Sequence, residues 1–270
     1  MCLRFRFVAA EDGPDAGGRP RQKSELASAP GGAIVVPVER GYGQYCPIAL
    51  GAEVLAERWT PLIIRNLWLG CERFSQIHEG CPRMSTTLLA SRLRTLERDG
   101  VVASAPAPRG RGRRYHLTPS GRELAQVVMA LGAWGERWRE VTPREQDPYI
   151  ALWSWARMID LDALPARRVV VRFALRDRPR DRFWLVLQRP WPEVCVTYPG
   201  AGDDLVVRTD VATLVDVQRG RLALTEARAS GAFAVEGDPV LARSLPRWGG
   251  ISPSMARAVG ASSGARSARA

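Results

Sequence analysis

The stretch Ser85-Thr86-Thr87-Leu88-Leu89-Ala90-Ser91-Arg92-Leu93-Arg94-Thr95-Leu96-Glu97-Arg98-Asp99-Gly100 decides how this chain is read. At about 100° per residue, Leu89, Leu93 and Leu96 fall in one narrow stripe and Leu88 widens it, which predicts a helix with one face in a core. Ser85 is placed to cap its start and Gly100 to end it. Thr87, Ser91, Arg94 and Arg98 fall on the opposite side. Short hydroxyls let a helix approach base edges closely, and arginine forks bond guanine bidentately or hold a phosphate. A solvated surface helix gives the same pattern, so the flanks must decide.

Downstream, Val101 to Ser104 and Arg113 to Leu117 read as two short strands. The intervening Ala105 to Gly112, rich in Pro and Gly, continues neither. A hairpin tipped with Pro108-Arg109-Gly110-Arg111-Gly112 carries guanidiniums on a slim support, suited to the negative potential of a minor groove. Upstream, an apolar helix runs from about Pro47 to Ala56. A second follows Trp59-Thr60-Pro61, with Thr60 as the expected cap and Leu62, Ile63, Ile64, Leu67 and Trp68 making it apolar nearly all round. A short third helix spans Arg73 to Glu79. Helix, turn, polar-faced helix and basic hairpin are the order of a winged helix-turn-helix. The expected DNA contacts are Arg73, Ser75, Ser85, Thr86, Thr87, Ser91, Arg94, Arg98, Arg109, Arg111 and Arg113. A long helix from about Pro119 to Glu140 then carries Leu124, Val127, Val128, Leu131, Trp134 and Trp138 in one stripe. Two tryptophans near its end exceed what a small domain needs, so Leu124, Val128, Leu131, Trp134 and Trp138 are expected to contact a second copy.

These residues resemble a known family. Cys46-Pro47, Glu57 to Leu67, Gly70, Arg73-Phe74-Ser75, Leu88 to Val101 and Tyr115-His116-Leu117-Thr118-Pro119-Ser120-Gly121-Arg122 are similar, in order, to the HxlR-type transcriptional regulators. The resemblance covers about residues 45–139. It implies a dimeric winged-helix protein that binds double-stranded DNA, usually a bacterial repressor or activator. The wing departs from it in being richer in arginine and glycine. Some members sense oxidants or electrophiles through a cysteine at the position of Cys46, which makes Cys46 a redox candidate. A helix N-terminus nearby favours a thiolate; the plainer reading is a small, partly buried core residue.

The second half reads as α+β. Asp147 to Ile159 is a Trp-rich helix. Val169, Val171, Phe173 and Leu175 alternate with Val170, Arg172, Ala174 and Arg176 as a half-buried strand. Phe183 to Leu187, Val194 to Val196 and Leu205 to Val207 follow at hairpin spacing, then a helix over Val211 to Arg219. Gly231-Ala232-Phe233-Ala234-Val235-Glu236-Gly237-Asp238-Pro239 resembles the closing strand and turn of sterol-carrier-protein-type domains. That resemblance, over about 165–249, implies a sheet-and-helix fold with an apolar pocket, though lipid transfer need not carry over. Trp153, Trp155, Trp184 and Trp191 are expected to line such a pocket for a small hydrophobic effector. The prolines of Val141 to Pro148 mark a boundary. The expected order is therefore a tail over 1–42 and a mainly α winged-helix DNA-binding and dimerisation domain over 43–140. A linker over 141–148, a sterol-carrier-like α+β domain over 149–249 and a second tail over 250–270 follow.

Composition sets the outer limits. The 270 residues carry 39 Lys+Arg against 28 Asp+Glu, with the excess split as +1 over 1–42, +5 over 43–140 and +5 over 141–270. That balance is compatible with nucleic acid and with an ordinary solvated surface. No apolar run approaches the roughly 18 residues of a membrane span. Five cysteines without regular spacing exclude a disulfide scaffold. With no signal peptide in view, the expectation is a cytoplasmic protein. Cys71, His78 and Cys81 offer at most three metal ligands without paired spacing, so no metal is expected. His78 and His116 lack a nucleophile or carboxylate at motif spacing, so neither cofactor nor enzymatic activity is expected. The function expected is a homodimeric transcription regulator on a two-half-site operator. The alternatives are a hydrophobic-ligand carrier that uses the winged helix as an interaction module, and a thiol-based redox sensor acting through Cys46.

Overall fold

The leucine stripe of 85–100 closes onto a small helical core. The computed structural model describes residues 41–108, 112–200 and 202–248; of the expected tails only Gly41 and Tyr42 fall within them. The first half runs α1 (Pro47–Leu55), α2 (Thr60–Trp68), α3 (Phe74–Glu79), α4 (Thr86–Arg98), β1 (Val102–Pro106), β2 (Arg113–Leu117) and α5 (Pro119–Trp138). Leu89, Leu93 and Leu96 are buried with Ile63, Ile64, Ile77 and Val128. Ser85 caps α4 by accepting from the Leu88 amide at 3.2 Å, and Gly100 follows with φ 70°, a turn that suits glycine. β1 and β2 pair antiparallel, with Ala105 opposite Arg114 and Pro106 opposite Arg113.

Two local expectations are corrected in α2. Thr60 is not its cap: it is buried inside the first turn, and Trp59 precedes the helix at φ 78°. Nor is α2 apolar all round. Leu62 is exposed, while Asn66 is fully buried. The Asn66 amide donates to the Ile77 carbonyl at 2.8 Å, and its Oδ1 accepts from Arg65 Nη2 at 2.8 Å. Arg65 Nη2 also donates to the Gly80 carbonyl at 2.8 Å. This polar knot fixes α2 against α3. The Thr118-Pro119-Ser120-Gly121 segment starts α5 in a comparable way. Thr118 Oγ1 accepts from the Gly121 amide at 3.1 Å and donates to the Gly100 carbonyl at 2.6 Å. A Cβ on Gly121 would lie 2.1 Å from the Val101 carbonyl oxygen, so only glycine allows that approach.

The second half holds α6 (Pro148–Arg157), β3 (Val169–Leu175), β4 (Arg182–Leu187), β5 (Glu193–Cys195), β6 (Leu205–Thr209), α7 (Val211–Arg219), α8 (Leu224–Ala229), β7 (Ala234–Gly237), α9 (Pro239–Ser244) and a 3-10 turn (Leu245–Trp248). Its sheet has the order β5-β4-β3-β6-β7. β6 lies parallel to β3, Phe173 opposite Val207, so it does not form the hairpin that its spacing suggested. Nor is β3 half-buried as its alternation predicted: Val170 is as buried as Val169 and Val171. Odd-numbered β3 residues face the helices. On the other face the β5–β6 connection folds back, with Tyr198 edge-on to Trp184 at 5.8 Å and Asp203 accepting from Trp184 Nε1 at 3.0 Å.

The four tryptophans do not share a cavity. Trp155 packs against Phe233 and Phe173 at ring distances of 6.1 and 6.0 Å, and all three are buried between sheet and helices. Trp153 belongs to the core of the first half, Trp184 faces away from the helices, and Trp191 stacks under the Arg157 guanidinium at 3.5 Å. The expectation that these four tryptophans line one pocket is corrected: they face three different surroundings, and Trp155 is packed among aromatic side chains.

Candidate nucleic-acid interface

α4 presents to solvent the side that its sequence marked. Ser85, Thr86, Thr87, Ser91, Arg94 and Arg98 are all exposed, while Leu89, Leu93 and Leu96 behind them are buried. Arg94 makes no ion pair among the described residues, and Arg98 only touches Thr95 Oγ1 at 3.2 Å. On the flank of α4, Arg92 pairs with Glu57 at 2.6 Å and ties the helix to the α1–α2 turn. The turn between α3 and α4 is held by His78, whose Nε2–H donates to the Met84 carbonyl at 2.7 Å. His78 therefore spaces the two helices, a role its sequence position did not reveal.

Arg73 and Ser75, at the start of α3, are exposed. Gln76 Oε1 accepts from the Arg73 amide at 2.9 Å, and Arg73 bridges to Arg114 of β2. The Tyr115 amide donates to the Glu72 carbonyl at 2.8 Å, so the wing is tied to α3 through its backbone. Arg109 and Arg111 lie outside the described residues. Arg113, another of the expected DNA contacts, is exposed and leans toward α4. Its Nε donates to Ser104 Oγ at 2.9 Å and its Nη2 lies 3.5 Å from Glu97 of α4. Ser104 Oγ also donates to Glu97, so the trio braces the wing against α4. Arg114 pairs with Glu72 at 3.1 Å.

The stripe on α5 divides. Val128 is buried in its own core at 6% exposure, which corrects its expected place in a dimer contact, and Leu124 is half-buried. Val127, Leu131, Trp134 and Trp138 remain, with exposures of 52, 50, 56 and 66%. Ile48 and Leu50 on α1 are exposed as well. Beside them an apolar cavity of about 410 Å³ is lined by Leu55, Trp59, Pro61, Leu62 and Leu131. Single exposed apolar side chains are ordinary, but four on one helix beside such a cavity are not.

The thiols separate by position. Cys46 precedes α1 and is half-buried; Cys71 and Cys81 are buried. Burial pushes the Cys71 thiol up to about 12, against a smaller pull from the Arg157 guanidinium. Burial also raises Cys81, with Arg65 opposing. No group of three or more metal-ligating side chains occurs among the described residues. None of their helices is long and apolar enough to cross a membrane.

Comparison with known proteins places relatives around this site. The model of the HxlR-like helix-turn-helix family matches residues 54–143. The HTH-type transcriptional regulator YvaP of Bacillus subtilis is 34% identical over 97 residues, which are 35% of this chain and 90% of YvaP. YodB, an HTH-type transcriptional regulator of the same organism, is 35% identical over 97 residues, 35% of this chain and 87% of YodB. Among solved structures, the oxidised redox regulator HypR is similar at 30% identity and a TM-score of 0.34, over 36% of this chain and 100% of HypR. These alignments take in little more than a third of the chain.

Proposed function

The chain belongs to the HxlR-like helix-turn-helix family of DNA-binding transcriptional regulators, and from that premise we propose that it reads a two-half-site operator as a homodimer through α4. The observation that carries this reading is the outer face of α4, where Thr87, Ser91, Arg94 and Arg98 are solvent-exposed beside a braced wing. Thr87, Ser91 and Arg94 reach base edges. Arg98, nearer the helix end, holds phosphate, as do Arg73 and Ser75, while the wing arginines Arg109 and Arg111 enter the minor groove. The free face of α5, with Ile48 and Leu50 of α1, is covered by a second copy. Two recognition helices then sit about 34 Å apart, one turn of duplex.

The test is a salt-controlled gel shift on DNA from upstream of the protein's own gene. Arg94→Ala is expected to cost roughly 1–3 kcal/mol on the specific site and to relax selectivity at one base pair. Equal losses on specific and random duplex would argue against base readout there. For residues 149–249, the sterol-carrier-like reading is a proposal about fold, supported by a five-stranded sheet with helices on one face and by Ala234–Gly237 as its last strand. Cys46 carries a second reading, as a thiol sensor. It is half-buried at the start of α1, beside the proposed dimer face, whereas Cys71 and Cys81 are closed off. Diamide treatment should then release DNA from the wild type and not from Cys46→Ser.

A further inference from the structure

A cavity of about 500 Å³ opens on the face of the five-stranded sheet turned away from the helices. Four of its lining side chains are arginines: Arg172 on β3, Arg176 just beyond it, Arg182 on β4 and Arg208 on β6. Asp181 is its one acidic lining residue. The strand register explains the gathering. Arg172 lies opposite Trp184 on β4 and Val206 on β6, Arg208 stands two residues further along β6, and Arg182 two residues before Trp184. Side chains two apart on a strand share a face, so these guanidiniums converge on one side of the sheet.

The way the arginines are held is more telling than their number. Arg172 approaches Asp203 Oδ2 through its Nε at 2.7 Å, and Arg208 approaches Glu236 Oε1 through its Nε at 2.8 Å. In both, the two η nitrogens have no protein partner among the described residues. A guanidinium has five N–H donors in a fixed plane. On Arg208 the Glu236 carboxylate accepts from Nε, which orients the group and leaves the η donors for something else, whereas Arg172 is held beside Asp203 by charge without a hydrogen bond from its Nε. The Arg182 side chain has no ion pair or hydrogen bond among the described residues. Trp184, itself buried, gives the cavity an aromatic wall between these forks.

We propose that this cleft binds a small organic anion, one carrying a carboxylate or phosphate for the free η nitrogens of Arg172, Arg182 and Arg208 and an apolar body for the Trp184 wall. Bidentate guanidinium–oxyanion pairs supply both charge and geometry. The sequence already held the signal, in the alternating Arg176-Asp177-Arg178-Pro179-Arg180-Asp181-Arg182 between β3 and β4. The inference depends on neither the operator reading nor the dimer.

The experiment is calorimetric titration of the full chain at low salt with phenyl phosphate, with inorganic phosphate as the comparison. One phenyl phosphate site per chain is expected. The double variant Arg182→Ala, Arg208→Ala should weaken it by roughly tenfold or more, and the double variant Arg94→Ala, Arg98→Ala on α4 should leave it unchanged. Both cleft side chains are exposed, so their removal should spare the fold. Should the double variant fail to fold, Arg182→Glu alone must still abolish binding. The proposal falls if phenyl phosphate does not bind, if the cleft variants bind it like the wild type, or if inorganic phosphate binds equally well. It falls as well if the cleft variant loses affinity for random duplex as the α4 variant does, because the arginines would then track DNA phosphates.

Discussion

Gly80→Ala is the sharpest test of how the helix-turn-helix is held together. Gly80 ends α3 with φ −78°, a conformation alanine adopts freely. Backbone entropy alone would therefore favour the substitution by about 0.4–1 kcal/mol. The surroundings oppose it. An added Cβ would lie 2.4 Å from Asn66 Nδ2 and 2.6 Å from Trp153 Cζ2, where ordinary contact begins at 3.4 Å. Neither neighbour can swing aside, because both are buried and the Asn66 amide is engaged with the Ile77 carbonyl and Arg65. Overpacking of this kind costs about 1–3 kcal/mol, and a buried amide torn from its acceptor about 1–3 kcal/mol more. The net expectation is a loss of about 1–5 kcal/mol, seen as a urea midpoint lowered by roughly 0.5–2.5 M at an m-value of about 2 kcal/mol/M. Protein concentration must be held fixed, because any self-association couples to unfolding. The same substitution in a Trp153→Phe background should cost less, since the smaller ring removes part of the clash. An unchanged or raised midpoint for Gly80→Ala would refute the reasoning, and strict additivity would exonerate Trp153.

The remaining expectations concern charge and assembly. Burial raises Cys71 from 9.0 to about 12, so the folded chain keeps a proton that the unfolded chain loses. Its stabilisation is complete below about pH 9 and disappears as pH climbs to about 12. Tyr149, raised from 10.0 to about 12, has the same sign; Cys71→Ala should therefore flatten the fall in denaturation midpoint above pH 9 without abolishing it, and parallel curves would contradict this. Glu136→Ala strands Arg219, which it holds at 2.8 and 2.9 Å in a largely buried pair. It should cost about 1–3 kcal/mol, against at most about 1 kcal/mol for the more exposed Arg221→Ala; equal midpoints for the two variants would show that the Arg219 pair contributes nothing special. Leu131→Asp should yield a monomer in sedimentation with weakened operator binding, and a monomer of undiminished affinity would rule out the dimer reading.

What could be read from sequence and what could not divide along physical lines. The two faces of α4, the Ser85 cap and the wing strands rest on local periodicity and turn chemistry, which short windows contain. The Thr60 cap failed because the chain turns at Trp59 through a left-handed residue, an exception that no propensity anticipates. The bracing of Arg113 by Ser104 and Glu97 was hidden because those partners meet it only once the hairpin has formed. β3 read as half-buried because Arg172 and Ala174 alternate with large apolar residues, yet a returning loop covers part of the second face. The parallel placement of β6 against β3 was equally hidden, since spacing cannot distinguish a hairpin from a crossover. α8 has six residues, too few to show a period. The clue to the Arg65–Asn66 knot was present, as two polar residues in an otherwise apolar run, but its partners at Ile77 and Gly80 are distant in sequence.

The tryptophans of α6 show why the two halves pack as neighbours despite the prolines at 143 and 148. Trp153 and Trp155 stand two residues apart on one helix, so they project roughly 200° apart and cannot enter the same core. Trp153 enters the first core, with the Arg65 guanidinium 4.9 Å from its ring and Gly80 beneath it. Trp155 enters the second, against Phe173 and Phe233. α6 is thus a strut with one anchor in each core, and Glu136 on α5, gripped by Arg219 and Arg221, is a second tie between the same halves. A rotation of α6 that reseated Trp155 would have to carry Trp153 with it. Trp153 backs the Asn66–Gly80 contact, that contact sets the spacing of α2 and α3, and α3 with the His78 turn seats α4. The face proposed to read DNA is therefore connected by packed side chains to the sheet whose far side bears the arginine cleft.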